Sequence, residues 1–322
     1  MKKIFTLLLL ALTITVVAQD VRSLQLPEIY KGTCGASEDG KNLTWIFNPQ
    51  SGKLLIWGEG QMKISSIKER PWFQFRDSIM SIEIKEGVTS IGAWAFYGCT
   101  NLESVTFPQS LRKIYSKAFA QTKLESVTIG PLDMFGSAVF QFCRQLKSVT
   151  FEGDVKQFGL DNFDGCTNLE HVVLPKNTDY TGCSNFRQCN KLPIINDIRY
   201  ADTYLVEAAV KDKKSYVIKS GTKLIEEFAF SKCDQMETIT IPATVTDIGG
   251  RAFKDCVGLK YITCLAVEPP NTHFTGYTEL VFLNVDCSKI TLYVPSQSVE
   301  AYKKDYEWGQ FKIVGMQAKG TK

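Results

Sequence analysis

The residues with the greatest chemical potential in this chain are its cysteines and histidines. The 322 residues include ten cysteines and two histidines, residue types that bind metals, form disulfides or act as nucleophiles. No CxxC pair occurs, so a zinc site and thioredoxin-like chemistry have no support. Six cysteines share one spacing, because each comes three residues after a phenylalanine. They are Cys99, Cys143, Cys166, Cys189, Cys233 and Cys256.

The regular spacing of these six cysteines indicates a structural role. A cysteine at an equivalent point of every repeat acts as a small buried hydrophobic side chain. Side chains stacked in this way point in the same direction, which is poor geometry for a disulfide, so we predict free thiols. Cys264 and Cys287 lie outside the spacing and are the best candidates for a disulfide, whereas Cys34 and Cys183 have no obvious partner.

The histidines and acidic residues give no catalytic constellation. Neither His171 nor His273 belongs to a recognised metal-ligand spacing, and the spacings GxSxG, HExxH, P-loop and EF-hand do not occur. With 34 acidic residues, chance pairs of carboxylates are inevitable, so no particular pair can be assigned as the catalytic residues of a glycosidase. We therefore predict no catalytic residue, no metal and no cofactor, and a protein that is not an enzyme.

The cysteines belong to a longer repeat that a phenylalanine marks. The steps between markers are 23, 23, 21, 23, 23, 44, 23 and 21 residues, and the step of 44 equals 23 plus 21, so one copy has lost its marker. A fixed period in this range predicts a solenoid, because one short unit cannot bury its apolar side chains alone and stacked units can. The markers are Phe73, Phe96, Phe119, Phe140, Phe163, Phe186, Phe230, Phe253 and Phe274.

Two further features of the repeat predict its local structure. Segments such as SVTF and TITI alternate polar and apolar residues, which predicts a short β-strand with every second side chain inward. A glycine is common four residues before the phenylalanine, and we predict that it occupies a turn with positive φ. The sequence thus predicts a β-rich solenoid of about ten stacked coils, each of ~23 residues, with a parallel strand ladder.

Several segments resemble the BspA-like leucine-rich repeat family. The segments VTSIGAWAFYGCTNLESVTF, VTDIGGRAFKDCVGLKYIT and GTKLIEEFAFSKCDQMETITIP follow its pattern of I-G-x-x-A-F-x-x-C-x-x-L. The resemblance covers about residues 32–314, and RPWFQFRDSI and ITLYVPSQSVEAYKKDYEWGQFKIVG are similar to the first and last units of the family. It implies a leucine-rich-repeat solenoid that a bacterium secretes or holds at its surface, with adhesion to host proteins or other cells as the usual role.

Breaks in the repeat predict the organisation of the chain. Residues 1–18 are predicted to be a signal peptide, because a basic MKK precedes an apolar stretch and a small-residue cleavage site. We predict a linker and β-hairpin cap over residues 19–63, the solenoid over 64–266, and a terminal repeat, cap and tail over 267–322. Residues 199–221 are predicted to be a hairpin insertion around the charged KDKK turn, with a projecting binding element as the alternative.

Charge and hydropathy narrow the range of partners. The formal net charge is +3, and removal of Lys2 and Lys3 with the signal peptide leaves 35 basic minus 34 acidic residues, or +1. This balance predicts no nucleic-acid partner, and no later apolar run is long enough for a transmembrane helix. We expect an exported monomer that is secreted or lies at the cell surface or in the periplasm of a bacterium.

Two sets of side chains are candidates for a binding surface. Trp94, Tyr97 and Phe228 lie next to repeat phenylalanines, at positions that other repeats fill mostly with polar or small residues, so we expect these positions to face solvent. The alternative is that Trp94 and Tyr97 pack beneath the N-terminal cap near Trp72. The second set contains outward strand residues whose alternative role is strand propensity and solubility alone. They are Ser104, Thr106, Ser126 and Thr128.

These observations lead to one functional hypothesis and two alternatives. The hypothesis is a non-catalytic exported protein whose solenoid surface mediates adhesion to an extracellular protein of a host matrix or of another bacterial cell. The alternatives are a glycan-binding accessory protein of a surface polysaccharide system and a purely structural surface protein. The expected partner is therefore an extracellular protein or a surface glycan.

Overall fold

The chain folds into an N-terminal antiparallel hairpin followed by a parallel β-solenoid. The computed structural model describes residues 28–63, 66–180, 184–272 and 280–316. The predicted signal peptide and the residues Cys183, His273 and Phe274 lie outside the described residues.

The hairpin begins the first sheet. Strands β1 (Tyr30–Thr33), β2 (Leu43–Asn48) and β3 (Lys53–Gly58) pair antiparallel, and every second residue of β2 is buried. Gly52 supplies the positive φ of 64° that the turn between β2 and β3 requires. Strand β3 then pairs in parallel with Ser81–Ile84 of the first coil, so the hairpin covers the end of the solenoid.

The remaining strands are short and most come in two per coil. They are β4 (Gly60–Gln61), β5 (Ser81–Ile84), β6 (Val88–Ile91), β7 (Ser104–Thr106), β8 (Lys113–Ile114), β9 (Ser126–Ile129), β10 (Leu132–Phe135), β11 (Ser148–Phe151), β12 (Val155–Phe158), β13 (His171–Val173), β14 (Asp179–Tyr180), β15 (Ile194–Ile195), β16 (Ile198–Ala201), β17 (Tyr204–Ala208), β18 (Ser215–Val217), β19 (Leu224–Ile225), β20 (Thr238–Ile241), β21 (Asp247–Ile248), β22 (Tyr261–Cys264), β23 (Thr291–Pro295) and β24 (Lys312–Met316). The α-helix α1 spans Val299–Lys304, and single 3-10 turns occur at Phe73–Phe75, Cys287–Lys289, Ser296–Ser298 and Trp308–Gln310.

Successive coils pair their strands in parallel and build two ladders. The first ladder contains the SVTF-type strands, in the sheets β3-β5-β7, β9-β11-β13 and β18-β20-β22-β23-β24. The second ladder runs β4-β6-β8-β10-β12-β14 and continues as β17-β19-β21. The predicted β-solenoid with parallel strands is therefore confirmed. The first ladder is not continuous, however, because it is interrupted after β7 and again after β13.

Stacked phenylalanine rings form the centre of the core. The centroids of consecutive rings lie 5.1–6.0 Å apart from Phe96 through Phe186, and Phe230 lies 5.2 Å from Phe253. The phenylalanines and cysteines of the predicted repeat core, from Phe96 to Cys256, are at most 1% exposed. Rings at this separation bury large apolar areas and attract one another by stacking.

The two ends of this column differ from the sequence prediction. Trp72, not the neighbouring Phe73, stacks 5.3 Å from Phe96 at the first end. At the other end Phe282 lies 5.0 Å from Phe253, and the predicted marker Phe274 lies outside the described residues. The terminal units have different lengths from the central coils, so counting 23 residues outward does not find the side chain in the column.

The turns of each coil correct the prediction for glycine. Positive φ occurs two residues before the marker, where the occupants are Trp94, Lys117, Ala138, Asp161, Ser184, Phe228 and Arg251. The glycines four residues before the marker serve a different purpose. A Cβ on Gly159 would lie 2.7 Å from backbone atoms of Gly136 in the preceding coil, which is closer than atoms pack. Glycine at this position therefore allows neighbouring coils to approach each other.

Ala208 occupies the position of the lost marker. Its N–H donates to the carbonyl of Ala229 at 2.8 Å, as the N–H of Phe96 does to Ala118 at 2.7 Å. Because a methyl group replaces the ring, the phenylalanine column stops at Phe186, and the core divides into two clusters of buried residues that meet here.

The hairpin at this break is shorter than the predicted 199–221 insertion. Strands β16 and β17 pair antiparallel through a tight turn in which Asp202 has a φ of 53°. The charged KDKK segment follows β17, and β18 pairs in parallel with β20 as a member of the first ladder. The turn lacks glycine and proline, but aspartate tolerates the left-handed conformation, so the boundary was not visible in the sequence.

The C-terminal unit closes the solenoid with aromatic side chains. Tyr302 on α1 and the nearby Trp308 are fully buried, and the indole N–H of Trp308 donates to the carbonyl of Pro270 at 3.0 Å. The ring of Trp308 lies 5.6 Å from that of Phe282. This unit covers the last ring of the column, which would otherwise face water.

Candidate binding groove

The cysteine of the central coils is a hydrogen-bond donor inside the core. The sulfur atoms of Cys143, Cys166 and Cys189 lie 3.1, 3.2 and 3.1 Å from the carbonyl oxygen of the marker phenylalanine in the preceding coil. Cys256 repeats this contact at 3.1 Å. Burial raises the pKa of Cys99 and of Cys256 to about 12. Because a thiol must ionise to act as a nucleophile or a metal ligand, these groups are structural.

The candidate disulfide between Cys264 and Cys287 is not formed. Both residues are buried free thiols in the structure. The hydroxyl of Tyr302 donates to the sulfur of Cys264 at 3.2 Å, and the sulfur of Cys287 lies 3.7 Å from the carbonyl oxygen of Val285. Each sulfur thus contacts a different group in the C-terminal unit. Two cysteines that both lie outside the repeat spacing therefore need not be disulfide partners.

Within the described ranges there is no group of three or more His, Cys, Asp or Glu side chains placed to hold a metal ion. His171 is exposed on β13, and His273 lies outside the described residues. No helix in the described part of the chain is long and apolar enough to cross a membrane.

A groove opens where the first ladder breaks between β7 and β9. The coil from Phe119 to Phe140 has a step of 21 residues instead of 23, with one residue fewer before its strand and one fewer after it. The two coils still join at one end, where the N–H of Lys123 donates to the carbonyl of Leu102 at 3.1 Å. Beyond this bond, within the described ranges, β7 pairs only with β5, and β9 pairs only with β11. Because this coil is two residues shorter, β9 does not pair with β7, whereas the corresponding strands of regular coils pair with each other.

The groove brings together the four hydroxyl residues singled out in the sequence. It has a volume of about 1030 Å³. On its floor Val105 and Phe107 of the β7 coil are only half-buried, whereas Val127 on β9 is 5% exposed. Apolar side chains at the inward positions of β7 are thus accessible from the groove. The exposed hydroxyl side chains that line it belong to Ser104, Thr106, Ser126 and Thr128.

The rim of the groove is acidic. Four carboxylates and two basic side chains line it, an excess of two negative charges. The ammonium of Lys156 lies 2.7 Å from Asp133, and this pairing lowers the pKa of Asp133, while Glu103 pairs with Lys123. Glu152 and Asp154 therefore remain as charges without a basic side chain within 4.0 Å among the described residues.

Trp94 and Tyr97 form an edge-on pair outside the groove. Their ring centroids lie 5.1 Å apart and both residues are half-buried. The ammonium of Lys117 lies 4.6 Å above the Trp94 ring. Arg70, which is 4% exposed, donates to the carbonyls of Trp94 at 2.9 Å and Tyr97 at 2.6 Å. Trp72 itself stacks on Phe96 in the core column, and the half-buried Trp94–Tyr97 pair is not a fully open platform.

Phe228 lies on a coil of the second core cluster. Its side chain is 36% exposed, and the guanidinium of Arg251 lies 5.4 Å above its ring. The three candidate aromatics therefore do not form one surface, and none of them lines the groove.

The expectation that residues beside the marker face solvent is wrong for part of the chain. Ser184, two residues before its marker, is 7% exposed, and Asp164, one residue after its marker, is 5% exposed. The amide of Gln141 donates to the carboxylate of Asp164 at 3.0 Å, and Arg187 donates to it at 3.3 Å. Polar side chains at these positions suggest exposure in the sequence, but polar contacts between neighbouring coils cover them.

Glu226 is a buried acid that sequence reasoning did not identify. It lies four residues before its marker, where most coils have glycine, and is 2% exposed. Its carboxylate accepts the N–H groups of Ser184 and Asn185, the latter at 3.2 Å. In a regular coil the N–H at the position of Ser184 bonds to the next coil, as the N–H of Trp94 does to the carbonyl of Ser116. Glu226 thus replaces a backbone acceptor of the interrupted coil.

Burial is the largest influence on Glu226 and raises its pKa to about 8, while the two N–H donors act in the opposite direction. The sequence contained one sign of this role, because an acid stands at the glycine position directly after the copy that lost its marker.

The chain is similar to one family of repeats and to several solved structures. The model of the BspA type leucine rich repeat region matches residues 66–193 and 209–304 in six copies. Among solved structures, a leucine-rich repeat protein from Bacteroides ovatus ATCC 8483 is 18% identical with a TM-score of 0.43, over 91% of this chain and 81% of that one. One from Eubacterium ventriosum ATCC 27560 is 20% identical with a TM-score of 0.38, over 89% and 85%. The pneumococcal vaccine antigen PcpA is 14% identical with a TM-score of 0.40, over 89% and 100%.

No curated protein matches the sequence. The repeat model alone spans well over half of the chain, and it covers the coils whose phenylalanine column and paired strands are described above. The chain therefore belongs to the BspA type leucine rich repeat family.

Proposed function

We propose that this chain is a non-catalytic binding protein that a bacterium exports and that attaches to another extracellular protein through its solenoid. The observation that carries the proposal is the groove between β7 and β9. There a regular ladder is interrupted, and hydroxyl groups, apolar side chains and carboxylates are accessible together. These groups offer hydrogen bonds, apolar contacts and charge to a ligand.

Export and an adhesive role rest on two supports. The first 18 residues have the pattern of a signal peptide. The family consists of repeats whose stacked coils give a long regular surface, and solenoids of this kind commonly act as binding scaffolds. Adhesion to a host matrix protein or to another bacterial cell follows as the specific form of the proposed function.

A glycan-binding role has less support from the aromatic side chains. Sugar rings stack on an open aromatic face, but Lys117 lies above the ring of Trp94 and Arg251 lies above the ring of Phe228. The interaction of a cation with an aromatic ring contributes about 0.5–1 kcal/mol at an exposed site. A sugar that stacked on the same face would have to displace the cation and offset this loss.

An array of purified extracellular matrix proteins and bacterial surface polysaccharides tests the proposal. The mature chain should bind at least one protein saturably and should leave its ligands chemically unchanged. Binding to polysaccharides alone, or turnover of any peptide or glycan that copurifies with the chain at constant specific activity, would contradict the proposed function.

A further inference from the structure

We propose that the groove between β7 and β9 binds an extended segment of a partner polypeptide by strand addition, and that this segment alternates apolar and basic residues. The inference rests on the proposed function and names the ligand class of its site. Three features of the groove carry it, namely the strand edges, the apolar floor and the acidic rim.

The two strand edges supply backbone hydrogen bonds. Strand β7 is the last strand of its sheet and β9 is the end strand of the next. The facing edges have no strand partner in the part of the chain that the structure describes. An edge strand presents a row of N–H and C=O groups that can pair with another chain, and strand addition to such an edge is a common mode of peptide recognition.

The floor supplies contacts for alternate side chains. Val105 and Phe107 are two residues apart and both are partly accessible. Successive side chains of an extended ligand point to opposite faces, so apolar residues at every second position would cover this pair. The strand lengths of three and four residues set a ligand segment of about four to six residues.

The acidic rim determines which charge is favoured at the other positions of the bound segment. Among the described residues Glu152 and Asp154 have no basic side chain within 4.0 Å, while the amide of Asn177 donates to Asp154 at 3.1 Å. The lining of the groove has two more carboxylates than basic groups. The outward residues of a bound strand lie beside this rim, so lysine or arginine there is favoured and glutamate is repelled.

An end-blocked, fluorescein-labelled peptide of six residues that alternates valine and lysine is the probe, and fluorescence anisotropy measures its binding to the full mature chain. Thr106→Trp and Thr128→Trp fill the groove from exposed positions. Thr240→Trp is the matched control, because it lies on β20, which is paired on both sides. The first two variants should weaken binding by about tenfold or more, and the control should bind as the natural chain does.

Two further comparisons separate strand addition from simple charge attraction. A peptide with N-methyl groups on alternate amides keeps its charge but loses backbone donors, and it should bind about tenfold more weakly. The double variant Glu152→Gln with Asp154→Asn should weaken binding and reduce its salt dependence.

Equal binding by the groove-filled variants, equal binding of the N-methylated peptide, or no binding of the probe would each overturn the inference. If the variants Thr106→Trp and Thr128→Trp still capture a matrix protein, the inference fails while the proposed function stands. If the peptide binds in the groove but the array yields no protein ligand, the proposed function fails instead.

Discussion

Glu226 gives the stability of this solenoid an unusual dependence on pH. Burial raises the pKa of its carboxyl from the usual 4.5 to about 8 in the folded chain. Between these two values the folded state holds a proton that the unfolded state has released. The free energy of unfolding therefore decreases as the pH rises from about 4.5 to about 8 and levels off above that.

The size of this effect follows from the difference between the two pKa values. Each pKa unit corresponds to about 1.4 kcal/mol, so the stabilisation from this group falls by on the order of 4–5 kcal/mol across the interval. Glu226→Gln removes the titration but keeps only one of the two acceptor oxygens, so its NH2 group faces the N–H of either Ser184 or Asn185. We expect the stability of this variant to depend less on pH than that of the natural chain, with a constant cost of about 1–3 kcal/mol for the unsatisfied N–H.

Urea unfolding of both proteins at several pH values from 5 to 8.5 measures the effect, with circular dichroism as the readout. Glu226→Ala is the companion variant, because it leaves the N–H groups of Ser184 and Asn185 without their acceptor. It should destabilise the chain by about 1–3 kcal/mol for each unsatisfied group at every pH. The same pH slope in the natural chain and in Glu226→Gln would refute the role assigned to this carboxyl.

The remaining predictions concern the core and the contacts between coils. Phe163→Ala should cost about 3–5 kcal/mol in urea unfolding because it removes a ring from the middle of the column, and a cost below about 1 kcal/mol would contradict the column. Asp164→Ala should cost about 1–3 kcal/mol, since it removes two hydrogen bonds from a buried carboxylate. Gly159→Ala should cost about 1–3 kcal/mol by overpacking, whereas Gly130→Ala, where a new Cβ meets no atom within 4 Å, should stay within about 0.5 kcal/mol. Cys166 should resist iodoacetamide in the native chain at pH 8 and react without reductant once the chain is denatured, and mass spectrometry that finds it in a disulfide would contradict the thiol contacts.

The sequence predicted the solenoid because every coil buries the same kinds of side chain at the same positions of a fixed period. Phenylalanine, cysteine and the alternating strand recur in fixed order, so the stacking of one coil on the next repeats the same contacts. The ends of the column were mispredicted for the same reason. Trp72 and Phe282 belong to units of different length, to which the period does not apply.

The groove and the buried acid could not be predicted, because both depend on contacts between coils. The short step after Phe119 was visible in the sequence, but its effect is on the pairing of β7 with β9, which the apolar pattern does not specify. Glu226 reaches the backbone of Ser184 and Asn185 across more than 40 residues. Its neighbours in the sequence follow the repeat, so only the structure of the interrupted coil explains an acid at that position.

The central claim is that the first ladder is open between β7 and β9 and that a polypeptide strand closes it. Amide hydrogen–deuterium exchange at residues 104–107 and 126–129 tests this most directly, with β20 as the internal reference for a strand paired on both sides. The amides in these segments that point toward the gap, rather than those already bonded to β5 or β11, should exchange faster than the amides of β20 in the free chain and should become protected when the valine–lysine peptide is added. Exchange as slow as that of β20 in the free chain, or no added protection at saturating peptide, would contradict the claim.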